Sequence, residues 1–194
     1  MTRTTLLACL LLGSTAAAFA QPTANTVQRD INQQQRIEQG LQSGALNTKE
    51  ASALEREESR VDKMQSQALK DGKLTPAEQA RLNQAQNKAS GDIYAAKHNG
   101  VTGNPQSASS QRMQADVQRN INQQQRIENG VQNGSLTNRE AAKLERGQSK
   151  VAKAEARAGS DGHVSANEQA HVQRAENHQS KKIHHQKHDA QQKN

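Results

Sequence analysis

The sequence predicts an all-α protein built from two tandem copies of a three-helix unit. Three observations support this prediction: a long internal repeat, helix-capping motifs at matching places in both copies, and apolar residues at helical intervals. No run of alternating apolar and polar residues is long enough for a strand.

The repeat covers almost the whole chain after its first twenty residues. Residues 27–38 recur as residues 117–128, and the register holds without a gap to Lys97-His98 and Lys187-His188. Residues 99–113 between the copies are rich in Gly, Asn and Ser, which is typical of a flexible linker. We therefore expect a signal peptide at 1–20, helical repeat 1 at 21–98, a flexible linker at 99–113, and helical repeat 2 with a His/Lys-rich tail at 114–194.

Residues 1–20 have the pattern of a cleavable signal peptide. Arg3 precedes an apolar run at 6–12, and the small-residue motif at 18–20 lies just before Gln21. The mature protein is therefore predicted to begin near Gln21 and to be periplasmic or secreted. A lipoprotein acylation site at Cys9 is the alternative, but few apolar residues precede it. Loss of Cys9 with the signal would exclude disulfides, thiolate metal sites and cysteine nucleophiles.

Capping motifs divide each copy into three helices. A cap residue followed three positions later by Glu marks a helix start, and a Gly-containing turn ends the helix before it. In the first copy these signals predict helices over 25–42, 48–70 and 76–98, with Leu82, Ala85 and Ile93 on the core face of the third. The four capping pairs are Asn47 with Glu50, Thr75 with Glu78, Thr137 with Glu140, and Ser165 with Glu168.

Four loops resemble the second half of an EF-hand calcium loop, with Gly, an aliphatic residue and Glu in the pattern Gly-x-Leu/Val-x-x-x-Glu. The positions of the first two oxygen ligands hold residues such as Gln39 and Leu41, which suit calcium poorly. Helix capping explains the same residues without a metal. If calcium binds weakly, the candidate ligands are Asp71, Glu78, Asp161 and Glu168.

The histidines near the end of the chain form a second candidate metal site. His184 and His188 lie one helical turn apart, with His185 and His178 nearby, a spacing that suits Cu²⁺, Ni²⁺ or Zn²⁺. The alternative is a solvated basic tail, because lysines alternate with these imidazoles.

Catalytic motifs are missing from the sequence, so we expect no enzymatic activity. The pair Glu57-Glu58 is interpreted as part of a solvated helix face.

The net charge of +7 is compatible with anionic envelope surfaces. Nucleic acid is not expected as a partner, because no aromatic platform or binding motif accompanies the charge. No segment is long enough to span a membrane.

The motif Asn32-Gln33-Gln34-Gln35-Arg36-Ile37-Glu38, followed by Leu54-Glu55-Arg56 and Leu74-Thr75-Pro76-Ala77-Glu78, resembles a family of small exported proteobacterial proteins that are Gln- and Arg-rich. The resemblance implies a periplasmic, degenerate EF-hand-like helical module. A looser resemblance, through Leu74-Thr75-Pro76-Ala77-Glu78-Gln79, is to the Spy-type periplasmic stress chaperones.

The sequence thus predicts a periplasmic, non-enzymatic helical binding protein connected to envelope or metal stress. Its expected ligands are metal ions, either a divalent transition metal at the histidine tail or weakly bound calcium. The alternative is a holdase-like chaperone that binds unfolded clients.

Overall fold

The computed structural model describes residues 17–189, and their side chains from Pro22 onward. This part of the chain forms six α-helices and no strand, which confirms the all-α prediction. The predicted signal peptide falls largely on residues 1–16, outside the described residues. No described helix is long and apolar enough to cross a membrane. The helices are α1 (Ala17–Ser43), α2 (Thr48–Ala68), α3 (Pro76–Lys97), α4 (Ala108–Gln132), α5 (Asn138–Ala158) and α6 (Ala166–Lys187).

The predicted capping motifs begin four of these helices. At α2, α3, α5 and α6 the cap side chain accepts the backbone N–H of the Glu three residues on, and that Glu accepts the N–H of the cap residue. These reciprocal bonds satisfy donors that a helix start otherwise leaves unpaired. In the turns before these caps, Gly44 and Gly134 have φ of 75° and 79°, which favours glycine.

Equivalent helices of the two copies pack against each other, α1 against α4 and α2 against α5. Ser59 of α2 and Ser149 of α5 occupy the same position in the repeat, and each hydroxyl donates to the other residue's carbonyl, at 2.8 and 2.7 Å. The Ser52 hydroxyl of α2 donates to the Ala156 carbonyl of α5. These pairings make α2 and α5 antiparallel about a pseudo-twofold axis that passes between Ser59 and Ser149.

The copies therefore share one interior instead of forming two separate three-helix units. α3 packs on α1 and α2, while α6 packs on α4 and α5, so each third helix covers the outside of a central four-helix arrangement. The predicted linker is also shorter than expected, because α4 already begins at Ala108. Its Gly103 N–H donates to the Gly44 carbonyl at 2.8 Å, which ties the connection to the first loop.

The core is aliphatic, as the composition requires, but it also contains amides. Leu82 and Ile93 of α3 are buried as predicted, whereas Ala85 is only half-buried. Gln86 is fully buried in its place and donates to Asp30 on α1 at 2.6 Å. A helical stripe of apolar residues thus locates the buried face but misses the polar side chains that share it.

Two positions where the copies differ have changed in side-chain size in opposite directions. Gly147 on α5 stands where the first copy has Glu57, and Gln179 on α6 stands where it has Ala89. A Cβ at Gly147 would overlap with the Gln179 side-chain oxygen. The Gln179 amide donates to the Leu144 carbonyl at 2.9 Å, so its side chain is held in place.

Gly147→Glu is therefore expected to destabilise the protein by about 2 kcal/mol, because it overfills the α5–α6 contact. Adding Gln179→Ala, which restores the first copy's pairing, should recover most of that loss. Thermal unfolding of the single and double variants, followed by circular dichroism, measures both effects. A single variant as stable as the wild-type chain would contradict this packing.

Candidate functional site: a buried carboxylate cluster

Carboxylates are buried at the interface between the two copies. Aspartate and glutamate are rarely buried fully unless a charge partner or metal accompanies them. The acidic residues named below are each at most 4% exposed, and they lie on α1, α2, α4, α5 and α6. The members are Asp30, Glu55, Glu58, Asp62, Asp116, Glu145, Glu155 and Glu176.

Three of these carboxylates converge from three helices. Oxygens of Asp30 on α1, Asp62 on α2 and Glu145 on α5 lie within 4.8 Å of one another. We call these residues the carboxylate triad. Among the described residues it is the one group of three or more potential metal ligands whose atoms come this close.

Glutamine amides hold the triad in place. The Gln124 amide of α4 donates to Asp62 at 3.3 Å and to Glu145 at 3.2 Å, while Gln86 donates to Asp30. Gln124 thereby bridges two acids that would repel each other if both were charged. Within residues 22–189 the ion pairs that form involve other acids, so no Lys or Arg neutralises the triad directly.

Several oxygens around the triad have no hydrogen-bond partner. Oδ2 of Asp30, Oε1 of Glu145 and the side-chain oxygen of Gln124 are buried and unpaired. Glu58, one turn from Asp62 on α2, is 1% exposed and has neither carboxylate oxygen paired. Unpaired buried oxygens are costly, so those of the buried carboxylates need a proton or a cation to explain them.

The pKa values of these groups are raised, so they hold protons in the absence of another cation. Burial raises the pKa of Asp30 to about 7. Burial, followed by repulsion from Glu145, Asp30 and Glu58, raises the pKa of Asp62 well above its usual range. The pKa of Glu145 is raised by burial and then by Asp30. Asp30 therefore exchanges its proton near neutral pH, and the other two acids favour their protonated form.

The pseudo-equivalent half of the interior is built differently. There Asn120 and Ala152 replace Asp30 and Asp62, so a triad is not possible. Glu55 and Glu155 instead share a hydrogen bond, which requires a proton between them. Asn120 donates to Glu155 at 2.7 Å. One half thus has a converging set of three acids, and the other has a proton-sharing pair.

The predicted histidine site has a counterpart in the first copy, where a tyrosine stands in place of one histidine. The His184 and His188 rings lie 4.3 Å apart, and Nδ1 of His188 is 2.7 Å from the His184 carbonyl. Tyr94 and His98 repeat this arrangement at the end of α3, with ring centroids 4.1 Å apart. A pair of neighbouring rings therefore lies at this helix end in both copies, stacked in the first and tilted in the second.

The other two candidate histidines do not complete a metal site with this pair. His178 is exposed on α6, and His185 lines a basic cavity between α2, α5 and α6. Their ring nitrogens are not gathered with those of His184 and His188 into a cluster of three ligands.

The predicted calcium residues are engaged in their own loops. Glu78 accepts the Thr75 N–H at 2.9 Å, and Glu168 accepts the Ser165 N–H at 2.8 Å, as capping residues do. Asp71 and Asp161 accept the N–H two residues on, from Lys73 and His163. They do not come together as a ligand group in the described part of the chain.

Sequence reasoning did not identify the triad, and it misplaced Glu58. The interpretation of Glu57-Glu58 as a solvated face is wrong for Glu58, which is buried, although Glu57 is partly exposed. Glu55, Glu58 and Asp62 lie at helical spacing on the side of α2 that also carries Leu54 and Val61. That shared face was the available signal.

The chain matches no protein-family model, no curated protein and no solved structure.

Proposed function

We propose that this chain is an exported, non-enzymatic protein that binds a divalent cation at the carboxylate triad and acts in envelope or metal stress. The observation that carries the proposal is the convergence of Asp30, Asp62 and Glu145 within 4.8 Å, with unpaired oxygens around them. A divalent ion would balance the charge that burial otherwise makes costly.

The ligand chemistry favours a hard cation. All candidate donors are oxygens, and carboxylate and amide oxygens suit Ca²⁺, Mg²⁺ and Mn²⁺ better than Cu²⁺, Ni²⁺ or Zn²⁺. Two oxygens on opposite sides of one Ca²⁺ lie about 4.8 Å apart, twice a bond of about 2.4 Å. Glu58, one helical turn from Asp62 on α2, is a further buried carboxylate with no hydrogen-bond partner. Calcium is thus the favoured ion of this proposal. Its proposed site lies in the core and not in the EF-hand-like loops.

Export is supported by the position of Pro22 in α1. Proline within a helix removes a backbone hydrogen bond, but it is tolerated in the first turn. Cleavage before Gln21 would place Pro22 in the first turn of the mature helix. The same cleavage would remove Cys9.

The holdase alternative has less support from the surface. A client-binding cradle needs a contiguous apolar patch. The large exposed hydrophobic residues between 22 and 189 are Met64 on α2, Tyr94 on α3, and Val101 in the connection between α3 and α4. Cation binding therefore remains the better proposal.

Calcium is expected to raise the melting temperature of the mature protein at pH 8, compared with the same protein in EDTA. At a hundredfold excess over the dissociation constant the stabilisation is about 2.7 kcal/mol. Asp62→Ala, which places the second copy's residue at this position, should abolish the shift. Asp92→Ala removes an exposed carboxylate paired with Lys88 and should leave the shift intact.

The tail is tested in the same experiment with His184→Ala combined with His188→Ala. This variant should keep its calcium response. A shift that survives Asp62→Ala, or the absence of any shift with Ca²⁺, Mg²⁺ or Mn²⁺, would exclude the triad as the site. A Zn²⁺, Cu²⁺ or Ni²⁺ shift that disappears with the two histidines would place metal binding on the tail instead.

A further inference from the structure

A groove rich in cations runs along the outer side of the α2–α5 pair. Its volume is about 700 Å³, and it lies over the pseudo-twofold axis, with Ser59 and Ser149 in its lining. Seven exposed cationic side chains line it, and we call this set the basic groove. Six of them form three pairs of equivalent positions, and the seventh is Arg157. The pairs are Arg56 with Arg146, Arg60 with Lys150, and Lys63 with Lys153.

No acidic side chain lines the basic groove in the described structure. Glu57 is paired with Arg60 at its edge, and the buried acids lie on the other side of α2 and α5. Duplication has thus placed both copies' cations in one groove. Concentrated like charge of this kind attracts a counter-charged ligand strongly.

The cations of the basic groove are more closely spaced than the phosphates of a single nucleic acid strand. Residues 56 to 63 span about 10 Å of helix, and the antiparallel α5 supplies the matching three cations over the same length. One strand of duplex DNA carries a phosphate about every 3.4 Å, or about three in that distance. Six cations therefore match phosphates that are spaced more closely than those of a nucleic acid strand.

The groove is suited to charge recognition and lacks features that read other ligands. No aromatic side chain lines it, so nucleobases have no stacking platform. No large exposed hydrophobic residue lines it either, unlike a surface that inserts into a bilayer. Its recessed shape between two helices accommodates a chain better than a plane.

The basic groove continues into a second cavity of about 1090 Å³. The two cavities share Ser66 and Arg146. The second adds further cations, including Lys70, Lys143 and Lys182, together with the acidic residues Asp71 and Glu140. The continuous path is longer than a small anion needs. It fits an extended polymer.

We infer that the basic groove binds a linear polymer of closely spaced phosphates, of the inorganic polyphosphate type, through its charge alone. This site is separate from the carboxylate triad and does not depend on a cation bound there.

Binding of inorganic polyphosphate to the mature protein in EDTA, measured by isothermal titration calorimetry, tests this inference. We expect binding that weakens as salt increases. A variant with Arg56→Gln, Arg60→Gln and Lys63→Gln should bind at least about tenfold more weakly, because three of the groove's seven cations are gone. A control with Arg81→Gln, Lys88→Gln and Arg174→Gln loses the same charge outside both cavities and should bind as the wild-type chain does.

Two comparison ligands make the test specific: single-stranded DNA and vesicles containing phosphatidylglycerol. Tighter binding to either of them than to polyphosphate would overturn the inference. An equal loss of affinity in the groove and control variants would show general charge attraction instead of a groove. The absence of polyphosphate binding would refute the inference and leave the cation proposal unaffected.

Discussion

Acidification from pH 8 to pH 5 is expected to raise the melting temperature of the mature protein, in EDTA, by about 10 °C. Most soluble proteins lose stability as their carboxylates are protonated. Here the buried acids of the described interior, apart from Glu176, form no ion pair, so protonation favours the folded state.

The direction follows from the pKa values in the two states. Unfolded Asp and Glu titrate near 3.8 and 4.5, whereas burial raises the pKa of Asp30, Glu55 and Asp116 to about 7. Between about pH 4 and pH 8 the folded state therefore holds more protons than the unfolded state, and stability falls as pH rises. For Asp30 alone the loss between pH 5 and pH 8 is about 3 kcal/mol.

Thermal melts across this pH range in about 0.15 M salt, which screens surface repulsion, measure the effect. Calcium should oppose the loss of stability at high pH, because the cation neutralises carboxylates that have lost their protons. The calcium-induced shift should thus be larger at pH 8 than at pH 5. A melting temperature that stays constant or increases from pH 5 to pH 8 in EDTA would refute the buried-acid interior.

The helices were predictable because their signals are local. Asn47 with Glu50, or Ser165 with Glu168, specifies a helix start through bonds between residues three apart, whatever the rest of the chain does. The pairing of α2 with α5 was not predictable in this way. It depends on contacts such as Ser59 with Ser149, which bring together residues that no local pattern connects.

The candidate site was not predicted for the same reason, and also because acidic residues were expected to lie in solvent. Asp30, Asp62 and Glu145 come from three helices, so their convergence depends on the tertiary fold. Asp and Glu were assigned to solvent because they usually lie there. The histidine motif, by contrast, is visible in sequence because His184 and His188 are neighbours on one helix.

Glu58→Gln is expected to stabilise the apo protein at pH 8 by about 2 kcal/mol, which corresponds to several degrees in melting temperature. Burial and the nearby Asp30 raise the pKa of Glu58 well above its usual range, and neither of its oxygens has a hydrogen-bond partner. Glutamine has the same shape without the ionisable group. The second copy has Gln148 at this position, where its amide donates to Asn120 at 3.4 Å.

The pH dependence of this variant separates charge from packing. At pH 4 Glu58 is neutral in the folded state, so Gln and Glu should give the same stability there. Glu57→Gln is the matched control, because its side chain is partly exposed and its ion pair with Arg60 lies on the surface. That change should alter stability by less than about 0.5 kcal/mol. If Glu58→Gln destabilises the protein at pH 8, the Glu58 carboxylate is held by a charge partner, and the interior acids do not need a proton or a bound cation.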